Sequence, residues 1–270
     1  MFKKYGFLGA LMIILVQINF FINFWFLTAY YFPIIWLGYI LVIDALVYKI
    51  NNKSLINNKP KLFISLFILS VFVWWIFEFL NIFLQNWVYV NIPEPKWLNF
   101  SIAFSTVIPA VFETFELIKS VHIFDDFKIS KRYKITKNFL YLVIGFGLFS
   151  LIEIVLVPKY FFPFTWLAFF FLLDPFNYLH NKPSIIKNFT ERKLKIPLSL
   201  FLAGMVCGFF WEFWNYFAVP GWRYNIPFFD FLRIFEMPIL GYFGYGFFAW
   251  ELYSIYYFIA SLFYSKPPKI

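Results

Sequence analysis

Hydrophobic residues come in long, nearly charge-free stretches at about 7 to 29, 32 to 50, 62 to 84, 98 to 120, 139 to 157, 161 to 179, 196 to 219 and 236 to 263. About 20 apolar residues cross a bilayer as an α-helix, so each stretch predicts one membrane helix. The expected class is all-α, a polytopic integral membrane helical bundle of about eight transmembrane helices. Short polar segments separate the stretches, and the pairs meeting at Tyr31-Phe32-Pro33 and Pro158-Lys159-Tyr160 read as tight hairpins. The first stretch follows Lys3 and Lys4 but is too long for a signal-peptide core and has no small-residue cleavage site, so it reads as a retained span.

Composition excludes a soluble fold. Of 270 residues, 62% are hydrophobic and 14% charged, against about 25% charged in soluble domains. Aromatic residues make up 27% of the chain, more than a water-exposed protein of this size hides. The net charge of +9 would suggest a nucleic-acid partner, but its placement argues against one. With the N-terminus inside, 19 of the 23 Lys and Arg fall in inward-facing segments, Lys128, Lys131, Arg132 and Lys134 among them, and only Lys96, Lys159, Arg223 and Arg233 fall outside. Excess positive charge marks cytoplasmic loops. The expectation is a multi-pass inner (plasma) membrane protein with both termini cytoplasmic, in contact with anionic lipid. The single cysteine, Cys207, excludes an intrachain disulfide, and two histidines, His122 and His180, exclude a multi-histidine iron centre. No metal or other cofactor is implied.

The stretches also repeat. Tyr30-Tyr31-Phe32-Pro33-Ile34-Ile35-Trp36-Leu37 recurs as Tyr160-Phe161-Phe162-Pro163-Phe164-Thr165-Trp166-Leu167, and the correspondence runs on through Asp44 and Asp174 to Tyr48 and Tyr178. Seven of the 19 positions from Tyr30 to Tyr48 are identical at an offset of 130. Shared hydrophobicity alone would not align a Pro, a Trp and an Asp. Glu78-Phe79-Leu80-Asn81 then corresponds to Glu212-Phe213-Trp214-Asn215, Trp87-x-Tyr89 to Trp222-x-Tyr224, and Asn91-Ile92-Pro93 to Asn225-Ile226-Pro227. The chain reads as a duplication, with one four-helix repeat over 1–138 and a second over 139–270. Four spans per unit is an even number, so the repeats are expected to lie parallel about an axis along the membrane normal.

Candidate chemistry is concentrated in acids. Nine of the 14 Asp and Glu fall within or at the edge of the stretches: Asp44, Glu78, Glu113, Glu116, Glu153, Asp174, Glu212, Glu236 and Glu251. Ionisable groups at such depth are costly and mark either sites or polar helix contacts. Gly204, Gly208, Glu212, Asn215 and Val219 share one helical stripe, and Ser70, Trp74, Glu78 and Asn81 form the matching stripe in the first half. Glu78, Glu212 and Glu236 are candidate catalytic carboxyls, with Asn81, Asn215, Trp211, Trp222, Arg223 and Tyr224 as candidate substrate contacts. Hydrogen bonding between helices is the competing reading of the Glu/Asn pairs. A second cluster comprises Asp44, Asp174, Glu113, Glu116 and Glu251; Asp44 and Asp174 are expected near the basic loops and read as structural, while Glu113, Glu116 and Glu251 fit a site or a helix contact equally. Arg223 and Arg233 either clamp an anionic head group or pair with Asp230 and Glu236. Pro238 is expected to separate a short interfacial helix from the last span. Gly241-x-x-Gly244-x-Gly246 lies in an apolar stretch with no strand before it, so it reads as close helix packing rather than a nucleotide loop.

In each half the order is an apolar span ending in Asp, a basic loop, a span carrying aromatic-x-x-Glu-x-x-Asn, a Trp-x-Tyr pair and a span opened or broken by Pro. This order resembles the membrane unit, also used twice, of the heterodimeric or fused lycopene cyclases of carotenoid synthesis. The resemblance covers about three quarters of the chain by order of features. It implies that Asp44 and Asp174 take the first acidic position, that Glu78 and Trp211-Glu212 take the second, and that Glu236 beside Pro238 approximates the third. The Pro-x-Glu-Glu motif of that family is absent from both halves. The pattern Trp-Glu-x-x-Asn followed by Phe-Glu-Met-Pro-x-x-Gly-Tyr is also similar to an uncharacterised bacterial membrane-protein family.

Three functions follow as expectations. The first is a membrane-embedded enzyme or binding protein for an isoprenoid, carotenoid-like or other lipid, in which carboxyls perform acid/base chemistry and aromatic faces stabilise a carbocation. The second is a proton- or cation-coupled carrier that uses the acids as a relay. The third is a structural membrane protein whose acids hold the bundle together. The expected partners are membrane lipid and a hydrophobic small molecule, and no nucleic acid.

Overall fold

The computed structural model describes residues 1–131 and 134–270, so Arg132 lies outside the described residues. The protein is predominantly helical, with almost no sheet. In order, α1 (Lys4–Ile22), α2 (Trp25–Ala29), α3 (Tyr31–Asn51), α4 (Leu55–Asn58), α5 (Pro60–Leu84), α6 (Lys96–Phe104) and α7 (Val107–Ser120) are followed by α8 (Lys137–Leu156), α9 (Pro158–Phe161), α10 (Ala168–Leu179), α11 (Ile185–Thr190), α12 (Lys195–Phe217) and α13 (Gly241–Phe263). Counting α6 and α7 together, six helical segments are long and apolar enough to cross a membrane: α1, α3, α5, α6 with α7, α8 and α12. Helix α10 is shorter, and α13, 23 residues long, carries five tyrosines and Glu251.

Two of the expected continuous spans are interrupted. The stretch at 98 to 120 breaks at Ser105 and Thr106. Pro109 has no N–H, and its ring clashes with the carbonyl four residues back in a continuous helix, which is Ser105. The polar groups freed at the break are met from outside, since the Ser70 hydroxyl donates to Phe104 O at 2.5 Å and accepts from the Ile108 N–H at 3.0 Å. The stretch at 161 to 179 begins with a 3-10 turn over Phe162–Trp166, where Pro163 sits, and becomes α-helical only at Ala168. The interfacial helix expected before Pro238 is corrected to a two-stranded ribbon, β3 (Arg233–Ile234) with β4 (Met237–Pro238). Phe229, Leu232 and Phe235 adopt left-handed backbone at φ 61, 49 and 57, a conformation a helix does not contain.

Helices α3, α7 and α12 are buried over half or more of their spans, whereas α1, α5 and α8 show most of theirs to the surroundings. Helix α1 lies on α3 as α8 lies on α10, and α7 packs between α3 and α12. Opposite the basic loops, β1 (Trp87–Val90) and β2 (Gly221–Tyr224) form an antiparallel ladder with Trp87 against Tyr224 and Tyr89 against Trp222. We call this the hairpin end. At the other, basic end, Leu194 N–H donates to Phe127 O at 3.2 Å and Arg192 Nε to Ile129 O at 2.7 Å, so two basic loops dock on each other. Lys195 and then His122 hold the Asp125 carboxyl in the same region below its ordinary range.

Close approach of α12 and α13 depends on missing side chains. A Cβ at Gly204 would collide with the Tyr245 carbonyl, and one at Gly208 with the Tyr245 ring. By contrast, nothing lies within 4 Å of a Cβ built at Gly145 on the outer face of α8. Gly204→Leu should therefore cost about 1–3 kcal/mol or more through overpacking, and Gly145→Leu should leave stability unchanged or raise it slightly. Thermal unfolding followed by circular dichroism in detergent checks both, and equal losses would show that the α12–α13 contact is not tight.

Candidate functional site

Glu78 and Glu212 sit near the hairpin ends of α5 and α12, each inside a cluster of aromatic donors. Glu78 Oε1 accepts from Tyr89 OH at 2.6 Å, Trp74 Nε1 at 2.9 Å and Trp87 Nε1 at 3.1 Å. Glu212 Oε1 accepts from Tyr224 OH at 2.8 Å and from Tyr245 OH. Its second oxygen, Oε2, is buried with no partner. One turn beyond each Glu, an Asn side chain fastens the following strand. Asn81 Nδ2 donates to Trp87 O at 2.9 Å and Asn215 Nδ2 to Trp222 O at 2.9 Å, while Asn215 Oδ1 accepts from Trp222 N at 2.7 Å. The Glu-x-x-Asn…Trp-x-Tyr pattern is thus one folding unit: Asn holds the backbone of the Trp and Glu holds the hydroxyl of the Tyr.

A cavity of about 400 Å³ is lined from both clusters, by Trp74, Trp87 and Tyr89 on one side and Trp211, Trp222, Tyr224 and Tyr245 on the other. The wall is completed by Phe162, Pro163, Thr165 and Trp166, by Asn99 and Phe100 of α6, and by Met237 and Pro238. Among the described residues, no lining residue is charged. The volume lies in the range of small-molecule sites, which combine apolar walls with a few polar groups. Glu78 and Glu212 stand one side chain behind this wall, reached through Tyr89, Tyr224 and Tyr245.

Among the expected substrate contacts, Trp211, Trp222 and Tyr224 therefore face the cavity. Asn81 and Asn215 do not serve that role, because their amides are committed to backbone. Arg223 and Glu236 are also reassigned: neither lines the cavity, and they pair with each other at 3.5 Å. Arg233 grips Asp230 with two bonds of 2.6 and 2.7 Å and lies 3.9 Å from Glu236. This grip, above all others, holds the Asp230 carboxyl below its ordinary range. These pairings, not an anionic head group, account for both arginines.

The second cluster is spread over the bundle instead of being gathered at one point. Asp174 accepts the N–H groups of Ile185 and Ile186, both at 2.8 Å, and the Ser254 hydroxyl at 3.1 Å. Asp44 accepts the Ile56 N–H at 3.0 Å and the Tyr5 hydroxyl. Both acids thus satisfy the first amides of the short helices α4 and α11, a structural role. Glu251 performs the same service for α10, accepting Phe169 N–H at 2.8 Å. Glu116 pairs with Lys119 near the basic end, and Glu113 is fully buried beside Asp44 with neither oxygen bonded to a donor.

Sequence patterning did not single out Tyr245, Asn99 or Thr165. The Gly204 and Gly208 stripe announced a bulky neighbour, but only the packing of α13 identifies it as Tyr245. Comparison with protein-family models, with characterised proteins and with solved structures finds no match.

If Asn215 is a clasp, Asn215→Ala leaves the Trp222 N–H without its partner and Trp222 O with only the Arg223 donor, and should cost about 1–3 kcal/mol, the usual penalty for one buried group left unpaired. Thermal unfolding should show that loss together with changed tryptophan emission. A variant as stable as the wild type would return Asn215 to the list of free site groups.

Proposed function

We propose that this chain is an inner-membrane protein of eight helices, built as two parallel four-helix repeats over 1–138 and 139–270, that binds an uncharged hydrophobic small molecule between them. The cavity carries the reading, since it is aromatic, free of charge and walled by equivalent residues of both halves: Phe32 and Phe162, Pro33 and Pro163, Trp87 and Trp222, Tyr89 and Tyr224. The matched Asn clasps and the reciprocal register of β1 with β2 support the duplication. The six long apolar helices, together with α10 and α13, supply the eight spans, and the basic end is the cytoplasmic one by its Lys and Arg content.

Such a site is equipped for acid/base work on a lipid. Tyr89 with Glu78, and Tyr224 and Tyr245 with Glu212, put proton-transfer groups at two points of the wall. Indole faces in the same wall suit a cationic or polyene carbon framework. At its most specific, the reading is an isoprenoid or carotenoid-like substrate rearranged by proton addition and removal. In this scheme Tyr224 or Tyr245 delivers the proton and is resupplied by Glu212, Tyr89 passes the final proton to Glu78, and exchange with water returns both carboxyls to their starting states.

Five tryptophans line the cavity, so an uncharged polyene such as diphenylhexatriene should draw saturable energy transfer from them in the purified protein. A side chain at Gly244 would start 3.6 Å from the Trp166 ring; Gly244→Leu should fill the space and weaken binding roughly tenfold, about 1.4 kcal/mol. Equal transfer in the two proteins would place the probe elsewhere and sink the cavity reading.

For the chemistry, the chain expressed in cells that make coloured carotenoids should alter the extracted pigments, and Glu212→Gln should abolish the change. Pigments unchanged by the wild type would remove carotenoids as substrates while leaving the binding reading intact.

A further inference from the structure

Three buried polar atoms in residues lining the cavity have no hydrogen-bond partner among the described residues: Trp222 Nε1, Asn99 Oδ1 and Thr165 Oγ1. Other unpaired buried atoms, such as Trp36 Nε1, Ser150 Oγ and Ser199 Oγ, belong to residues away from the cavity, and the three in its lining differ from their counterparts in the repeated sequence. In the first half the corresponding indole, Trp87 Nε1, donates to Glu78 at 3.1 Å, whereas Glu212 takes the Tyr245 hydroxyl instead and leaves Trp222 Nε1 unbonded. The residue corresponding to Thr165 is Ile35, which has no hydroxyl, and the one corresponding to Asn99 is Arg233, which belongs to the Asp230 pair. Asn99 Nδ2 is engaged, donating to Pro93 O at 3.0 Å and Pro95 O at 3.2 Å, so only its oxygen is open. Thr165 and Asn99 are buried, at 1% and 8% exposure.

Buried polar groups are normally paired, and an unpaired one carries the full penalty of its lost hydration. The orphaned set here consists of one donor, one acceptor and one hydroxyl able to act as either. A pure hydrocarbon would leave all three unpaired. A carboxylate or phosphate would meet a wall with no cation, and an ammonium a wall with no anion. A ketone or ether could accept from Trp222 but could not donate to Asn99 Oδ1. A hydroxyl group both donates and accepts. We infer that the cavity takes an uncharged lipid alcohol, an apolar chain or ring system ending in hydroxyl, with Trp222, Asn99 and Thr165 as its polar contacts. This rests on the cavity being a ligand site, and it names the chemical class that the site selects.

Farnesol, farnesyl methyl ether and farnesene share one hydrocarbon body and differ at the polar end. Their affinities are measured by displacement of diphenylhexatriene from the purified protein. Farnesol should bind about fivefold or more tightly than the hydrocarbon, with the ether between them. Thr165→Val keeps the volume and removes the hydroxyl, and Trp222→Phe keeps an aromatic ring and removes the N–H. Each should lower the ratio of farnesol to farnesene affinity several-fold, and measurable farnesene binding shows that the variants are folded. Equal affinity of the wild type for farnesol and farnesene would overturn the alcohol assignment and leave the cavity reading standing. So would variants that weaken both ligands alike. If no member of the series displaces the probe, the cavity reading falls and this inference with it.

Discussion

A backbone N–H or C=O without a partner in a hydrocarbon environment costs several kcal/mol, and the polar side chains within the bundle are arranged around that penalty. At several points where the chain leaves or enters a helix, a side chain meets the freed backbone groups. Ser70 covers the break between α6 and α7, Asn81 and Asn215 take the strands that follow α5 and α12, and Asp44, Asp174 and Glu251 meet the first amides of α4, α11 and α10. Ser70, Asn215, Asp44, Asp174 and Glu251, all buried, are thereby explained without invoking chemistry. Those left over acquire significance by subtraction: Glu78, Glu212 and Glu113, and the orphaned atoms of the cavity wall.

How much of this was legible in the sequence depended on the kind of signal. Long apolar stretches and the Lys/Arg pattern reveal helices directly, because length and transfer energy are local properties. The pairing of Glu78 with Glu212, and of Asn81 with Asn215, was visible as recurrence. What the Asn side chains do was not, since an amide that clasps backbone and an amide that contacts a ligand look alike in one dimension. The ribbon at Arg233–Pro238 was misread as a helix because Pro238 was weighed alone, whereas three left-handed residues and the Arg233–Asp230 grip decide the local path. Tyr245 was out of reach: its role depends on the rotation of α13 against Gly204 and Gly208.

The two Glu-x-x-Asn motifs are alike in their Asn clasps and unlike at the cavity. Trp87 and Trp222 occupy matching strand positions, yet one indole is bonded to a carboxylate and the other is free. Tyr245 is the cause, because by bonding Glu212 it displaces the donor that the first half would supply. Two motifs alike in sequence thus present different polar groups to the cavity wall.

The ladder between β1 and β2 carries a consequence of another kind. Trp87 lies against Tyr224 and Tyr89 against Trp222, so each strand meets the other as it would meet a copy of itself across a two-fold axis. Self-complementary contact of that type is the signature of an isologous homodimer interface. On the duplication proposed above, a polypeptide carrying one such motif alone would present the strand edge needed to pair with a second copy of itself.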